Sequence, residues 1–271
     1  MPARRWTVRS TLLVLLGLVL ATLAGRPAVA GGCFPVAEGP PRLLPVALHL
    51  AALPEGAALR LTYLGHSTFL LETPEGVTAV TDHNDYIRPP LVPRLVTMNN
   101  AHDTHYTNHP DPRIEHVLRG WNPAGGWAEH DLVVGDLRVR NVPTAVRGRF
   151  GDQALSNSIF VFEVEELCVA HLGHLHHRLT DGQLAELGQI DVLLVPVDGA
   201  YTIGQEEMLE VVEQIRPQLV VPMHSFGPST LARFLRLAAE RGWRIEQPAS
   251  AELLLARASL PQRTVLVLPG R

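Results

Sequence analysis

Histidines carry the chemistry of this chain. Of its 13 histidines, ten lie between His83 and His177, a density that suits capture of a borderline transition metal by imidazole nitrogen. The first knot, Val96 to His109, is a short apolar run that ends in His102, His105 and His109. The second, His171, His174, His176 and His177, follows the apolar run Leu167 to Ala170. His224 closes another run, Leu219 to Pro222. Three imidazoles around one open position make a catalytic zinc arrangement, in which water loses a proton near neutral pH. The spacing of His102, His105 and His109 would align them on one helix face. Pro110 and Pro112 oppose that helix, which leaves His109 as a reserve ligand.

The elements that must position these residues are short. Leu59 to Leu64, Thr68 to Thr73 and Val77 to Thr81, separated by Gly65-His66-Ser67 and Pro74-Glu75-Gly76, read as consecutive antiparallel strands. Asp131 to Val134 and Leu137 to Val142 form a hairpin around Gly135-Asp136, and Asn157 to Phe162 with Cys168 to Ala170 reads as a buried strand pair. Thr180-Asp181 caps a short helix ending near Leu187. Asp191 to Val197 is a continuous apolar run suited to a fully buried strand. A helix is expected over Gln205 to Ile215, a strand over Leu219 to Pro222, a helix from Ser229 to about Arg241 and a strand near Val265 to Leu268. The loop Trp121 to Trp127 either overhangs a site or is a surface turn with its tryptophans packed inward.

Several segments together resemble the metallo-β-lactamase superfamily, and within it the ascorbate-6-phosphate lactonase-like branch. Tyr63-Leu64-Gly65-His66-Ser67-Thr68-Phe69 is similar to that branch's opening motif. Asn100-Ala101-His102-Asp103-Thr104-His105 takes the place of His-x-His-x-Asp-His, with Asn100 for the first histidine and Thr104 for the aspartate. His171-Leu172-Gly173-His174-Leu175-His176-His177 resembles His-Leu-Gly-Asp-Leu-Gly-His, with His174 where the family has a bridging aspartate. Pro222-Met223-His224 matches the last metal ligand, whereas Val146 and Arg147 stand where relatives carry a histidine and an aspartate.

The resemblance covers nearly all of Tyr63 to His224 and implies an α/β fold, a four-layer αββα sandwich with two mixed β-sheets. It implies metal ligands at His102, His105, His174 and His224. An imidazole at 174 has one lone pair where a carboxylate would bridge two ions, so one transition metal ion, zinc by its donor set, is expected. Asp82 matches a carboxylate that orients a ligand histidine, and Asp198 is a candidate proton shuttle or a turn cap. His66 reads as a structural turn residue or a ligand, and His83 as a solvated loop residue or an extra ligand. Such a site would turn water against an ester, a lactone or a phosphodiester in a small-molecule substrate. The competing reading is a non-catalytic metal- or ligand-binding relic, because four ligand positions have changed. The fold alone does not choose a substrate.

Residues 1–30 read as an export signal: Arg4, Arg5 and Arg9 are followed by apolar Leu12 to Ala24 and the small-residue site Ala28-Val29-Ala30. The apolar run falls short of the roughly 20 residues of a membrane span. A periplasmic or secreted protein is expected, touching a membrane only through this signal or through a lipid on Cys33. Residues 31–56 are a Pro-rich lead-in and 57–271 the domain. Cys168 is either a buried free thiol or, in an oxidising compartment, the partner of Cys33. A formal net charge of −4 with 18% charged residues lacks the basic face that a nucleic-acid partner requires.

Overall fold

The computed structural model describes residues 53–99, 103–147 and 153–270. Its strands are β1 (Leu59–Gly65), β2 (Thr68–Glu72), β3 (Thr78–Val80), β4 (Leu95–Met98), β5 (His116–Arg119), β6 (Asp131–Val134), β7 (Leu137–Arg147), β8 (Gln153–Val164), β9 (Leu167–His171), β10 (Val192–Pro196), β11 (Leu219–Met223), β12 (Arg244–Glu246), β13 (Glu252–Leu255) and β14 (Thr264–Leu266). The helices are α1 (Asp181–Leu187), α2 (Gln205–Ile215) and α3 (Pro228–Glu240).

Two mixed sheets result. One has the order β13-β1-β2-β3-β4-β5 and the other β12-β14-β11-β10-β9-β8-β7-β6. Strand alternation explains why they face each other. Leu59, Leu61, Phe69 and Leu71 of the first sheet pack with Phe160, Phe162, Val169 and Leu194 of the second in one buried layer. Alternate residues of the second sheet, among them Ile159, Val161, Ala170 and Leu193, turn outward onto Leu187, Met208, Val212 and Phe234 of the three helices. Fully burying a phenylalanine contributes about 1.5–3 kcal/mol, so Phe69, Phe160 and Phe162, all fully buried, are major contributors to sheet-on-sheet packing.

The remaining outer face, that of the six-stranded sheet, buries Leu70, Val80, Val96 and Met98 under Ile87, Leu91, Tyr106 and Trp121. These come from connections, so among the described residues the fourth layer is loop rather than α-helix. Trp121 is the tryptophan of its loop that packs inward, edge-on to Tyr106 at 5.8 Å, while Trp127 stays exposed.

The expected strands and helices are present with small shifts at their ends. β5, β12 and β13 were not foreseen, and of these β13 matters most to the sheet edge. It leaves the C-terminal region and pairs antiparallel with β1, Leu59 opposite Leu255, closing the edge of the other sheet. Cys168 is buried on β9 and disulfide-bonded, not the free thiol that its apolar run suggests. Cys33, and with it the export signal and most of the Pro-rich lead-in, lies outside the described residues.

Candidate metal centre

The pairings make β1, β3 and β4 run in one direction within their sheet, and β9, β10 and β11 in one direction within theirs. Each of these six strands is followed, in the connection beyond its C-terminal end, by a site residue: His66, Asp82, His105, His174, Asp198 and His224 respectively, with His105 closing the 3-10 turn Asp103–His105. One ligand atom from each of His66, His105 and His224 lies within 4.8 Å of the other two. Two of these histidines and one carboxylate hold left-handed backbone, with φ of 51° at His66, 43° at Asp82 and 54° at His224. Such conformations cost on the order of 1 kcal/mol or more and persist only where surrounding contacts fix them. At His66 the contacts are visible. Its carbonyl accepts hydrogen bonds from the Tyr63 hydroxyl at 2.9 Å and the His224 amide at 2.7 Å, and burial pushes the Tyr63 phenol up to about 12, so it stays a donor.

His105 and His224 are fully buried, and each is backed by a carboxylate. His105 Nδ1 lies 2.5 Å from Asp82 Oδ2, and His224 Nδ1 lies 2.9 Å from Asp198 Oδ2. Asp82 is also held by the Asn99 amide at 3.0 Å. Burial by itself would raise the Asp82 carboxyl. The electrostatic pull of the neighbouring His105 and His171 rings, with hydrogen bonds from His105 and Ser67, outweighs burial and holds it below the usual carboxylate range. At Asp198 burial is likewise outweighed, by hydrogen bonds from His224, Thr202 and the Ala200 and Thr202 amides, and that group too is held low.

Ionised carboxylates place the hydrogen on Nδ1 of both rings, so each Nε2 presents a lone pair. Those two Nε2 atoms are 3.0 Å apart. Lone pairs at that distance repel unless they share a cation. Two imidazoles on a tetrahedral zinc ion hold their nitrogens about 3.3 Å apart, so the donor set and its spacing fit an imidazole-bound ion.

His174 stands beside this group. Its ring centroid is 5.0 Å from that of His105 and 5.2 Å from that of His224, and its Nδ1 is 2.8 Å from His176 Nε2. His102, with Asn100, lies outside the described residues. His66, whose sequence offered a structural turn residue first and a ligand second, supplies the third imidazole of the group, and its Nε2 is 3.0 Å from Thr104 Oγ1. His109 is exposed and, like His83, is not part of the group. Asp198 caps its turn, with Oδ1 accepting from the amides of Ala200, Tyr201 and Thr202. Both oxygens of Asp198 are engaged by these amides, the Thr202 hydroxyl and the His224 ring, which is the turn-capping arrangement that its sequence offered beside a proton-shuttle role.

A model of the β-lactamase superfamily domain matches residues 60–224. The chain belongs to this family. Among solved structures, a putative zinc-dependent hydrolase of the metallo-β-lactamase superfamily from Thermotoga maritima is 30% identical, with a TM-score of 0.59, covering 79% of this chain and 100% of that one. A UPF0173 protein of Pyrococcus abyssi is 25% identical over 204 residues, 68% of this chain and 93% of its own. A UPF0173 metal-dependent hydrolase of Salinibacter ruber is 27% identical over 197 residues, 60% of this chain and 83% of its own.

Within the metallo-β-lactamase superfamily fold, three buried polar residues that sequence reasoning passed over build the frame of the centre. Asn99 bonds Asp82 with its amide nitrogen and accepts the Ser158 amide with its oxygen at 3.0 Å. Asn157 accepts the His174 amide at 2.7 Å. Ser67 Oγ lies 3.3 Å from His105 Nδ1, and its carbonyl accepts from His171 Nε2 at 2.8 Å. His171 Nδ1 accepts the Gly173 amide at 3.1 Å, and burial holds its ring below the usual imidazole range despite the pull of Asp82. Both nitrogens of His171 are thus engaged within the protein. The signal available in sequence was the polar residues interrupting apolar runs, Asn99 after Met98 and Asn157-Ser158 before Ile159.

Proposed function

We propose that this chain is an exported metal-dependent hydrolase whose single ion, zinc by the chemistry of its donors, is held by His66, His105 and His224 with His174 adjacent. The observation that carries this is the 3.0 Å approach of two Nε2 atoms whose Nδ1 partners are buried carboxylates. A zinc ion held by imidazoles supplies Lewis acidity and an acidified water near neutral pH. The chain's own residues do the rest. Asp82 and Asp198 fix the tautomer and direction of two ligands, and neutral His171 braces the turn through Ser67. Val146 is buried and offers no donor, and the imidazole at position 174 has one lone pair, so the set favours one ion over two. The proposed substrates are small molecules with an ester, lactone or phosphodiester bond.

Export to the periplasm or medium rests on the signal-like residues 1–30. Cleavage after Ala30 would give a mature chain that begins at Gly31.

The test is elemental mass spectrometry on the exported chain, followed by screening of nitrophenyl esters, lactones and bis-nitrophenyl phosphate. About one zinc per chain with turnover of one class supports the reading. A chain that takes up no metal after dialysis against zinc overturns it.

A further inference from the structure

Two large aromatic side chains are exposed beside the centre. Phe226 is 55% and Tyr201 62% accessible, and their ring centroids are 5.2 Å apart at an interplanar angle of 60°. Phe226 in turn meets His224 edge-on at 5.0 Å and 83°, and lies 5.7 Å from the His66 ring. The four rings are contiguous, running from two metal-ligand candidates outward to solvent. Single exposed apolar residues need no explanation. A contiguous exposed pair against a polar, buried centre marks a binding surface.

The pair is also held in register with the centre. Asp198 accepts the Tyr201 amide on Oδ1 at 2.5 Å and faces His224 Nδ1 with Oδ2 at 2.9 Å. Phe226 follows His224 by two residues, with left-handed backbone at His224 on one side and Gly227, at φ 142°, on the other. One carboxylate therefore fixes both the His224 ring and the backbone that carries Tyr201. Flat apolar rings reward burial of another flat apolar group through offset or edge contacts, and penalise an anionic group that must shed water against them.

We infer that Phe226 and Tyr201 are the specificity-determining wall of this site, and that the substrate bears an uncharged planar apolar group, such as an aryl ring, next to the bond that is cut. The inference rests on the proposed reading of the centre as a hydrolytic metal site. It narrows the substrate class to hydrophobic, preferably aromatic, esters or lactones.

Hydroxamates test this without turnover, because they chelate a metal ion while presenting a chosen side group. Zinc-loaded full chain, with zinc content measured first, is titrated calorimetrically with benzohydroxamate, acetohydroxamate and a trimethylammonium-bearing hydroxamate. The expected result is binding of benzohydroxamate about tenfold or more tighter than acetohydroxamate. In Phe226→Ala that ratio falls to within about twofold, with Tyr201→Ala between the two and Phe226→Leu retaining part of the preference. Both side chains are largely solvent-exposed, so the variants keep the fold, and their zinc content checks this. Equal affinity for the aryl and methyl compounds, preference for the cationic one, or a ratio unchanged in Phe226→Ala overturns the wall alone. A chain without zinc overturns the reading of the centre, and the wall with it.

Discussion

The Nε2 atoms of His105 and His224 lie 3.0 Å apart although the residues are 119 positions apart in the chain. Each ring is pinned from behind by its own buried carboxylate. Two lone pairs aimed at one point are a cation site, and the first prediction follows from the membership of that site. His105→Ala and His224→Ala should each lower bound zinc to background. His66→Ala should weaken zinc binding more than His174→Ala, since the His66 ligand atom is in the converging group. Chelator competition, read as zinc dissociation constants for the four variants, ranks them. A His174→Ala effect exceeding that of His66→Ala would return His174 to the primary set.

Asp82 and Asp198 act through the rings they hold. Asp82→Asn and Asp198→Asn should reduce zinc affinity about 10–100-fold while leaving stoichiometry near one at saturating zinc. Calorimetric titration with zinc measures both quantities at once. If Asp198 shuttled protons instead, its variant would keep full affinity and lose only turnover.

Acid should destabilise the metal-free chain in two separate windows. The folded pKa of His171 is lowered by burial, so the unfolded chain takes up a proton that the folded chain refuses. Stability from this group is complete above about pH 6.5 and declines as the pH falls below it. The folded pKa of Asp82 is also lowered. Its contribution is present above about pH 3.9 and is lost as the pH falls further, through the folded value. Denaturant midpoints between pH 8 and pH 3 should show both declines. The His171 ring signals followed by NMR should titrate below the usual imidazole range.

Gly173 sits at φ 58°, where an added Cβ would come within 2.4 Å of Asn157 Oδ1 and 2.5 Å of Asn99 Nδ2. Both amides belong to the frame of the centre, so no side chain fits without moving it. Gly173→Ala should cost roughly 2–4 kcal/mol in chemical denaturation, from backbone strain and displaced hydrogen bonds. It should also weaken zinc binding. An alanine variant of wild-type stability would mean that the two asparagines have room to shift.

Much of this was legible in the chain. Alternating apolar residues placed β1 to β3 and the β6–β7 hairpin, continuous β-branched runs placed β10 and β11, and a capping box at Thr180 with Gln183 started α1 as expected. These are local signals, set by side-chain periodicity and by hydrogen bonds within a few residues. The same patterns located His224 at a strand end and His105 in the connection after one, and a motif resemblance assigned both metal-binding roles.

What sequence could not decide was convergence. His66 joins the histidine cluster because the amide of His224 and the hydroxyl of Tyr63 lock its turn, and the first of these contacts joins the two sheets. Asp198 meets the His224 ring because parallel β10 and β11 bring residue 198 beside residue 224. β13 closes the first sheet although it follows strands of the second. Periodicity tells which face of a strand is buried but carries no information about which distant strand covers it. That choice is made by packing of the whole sandwich.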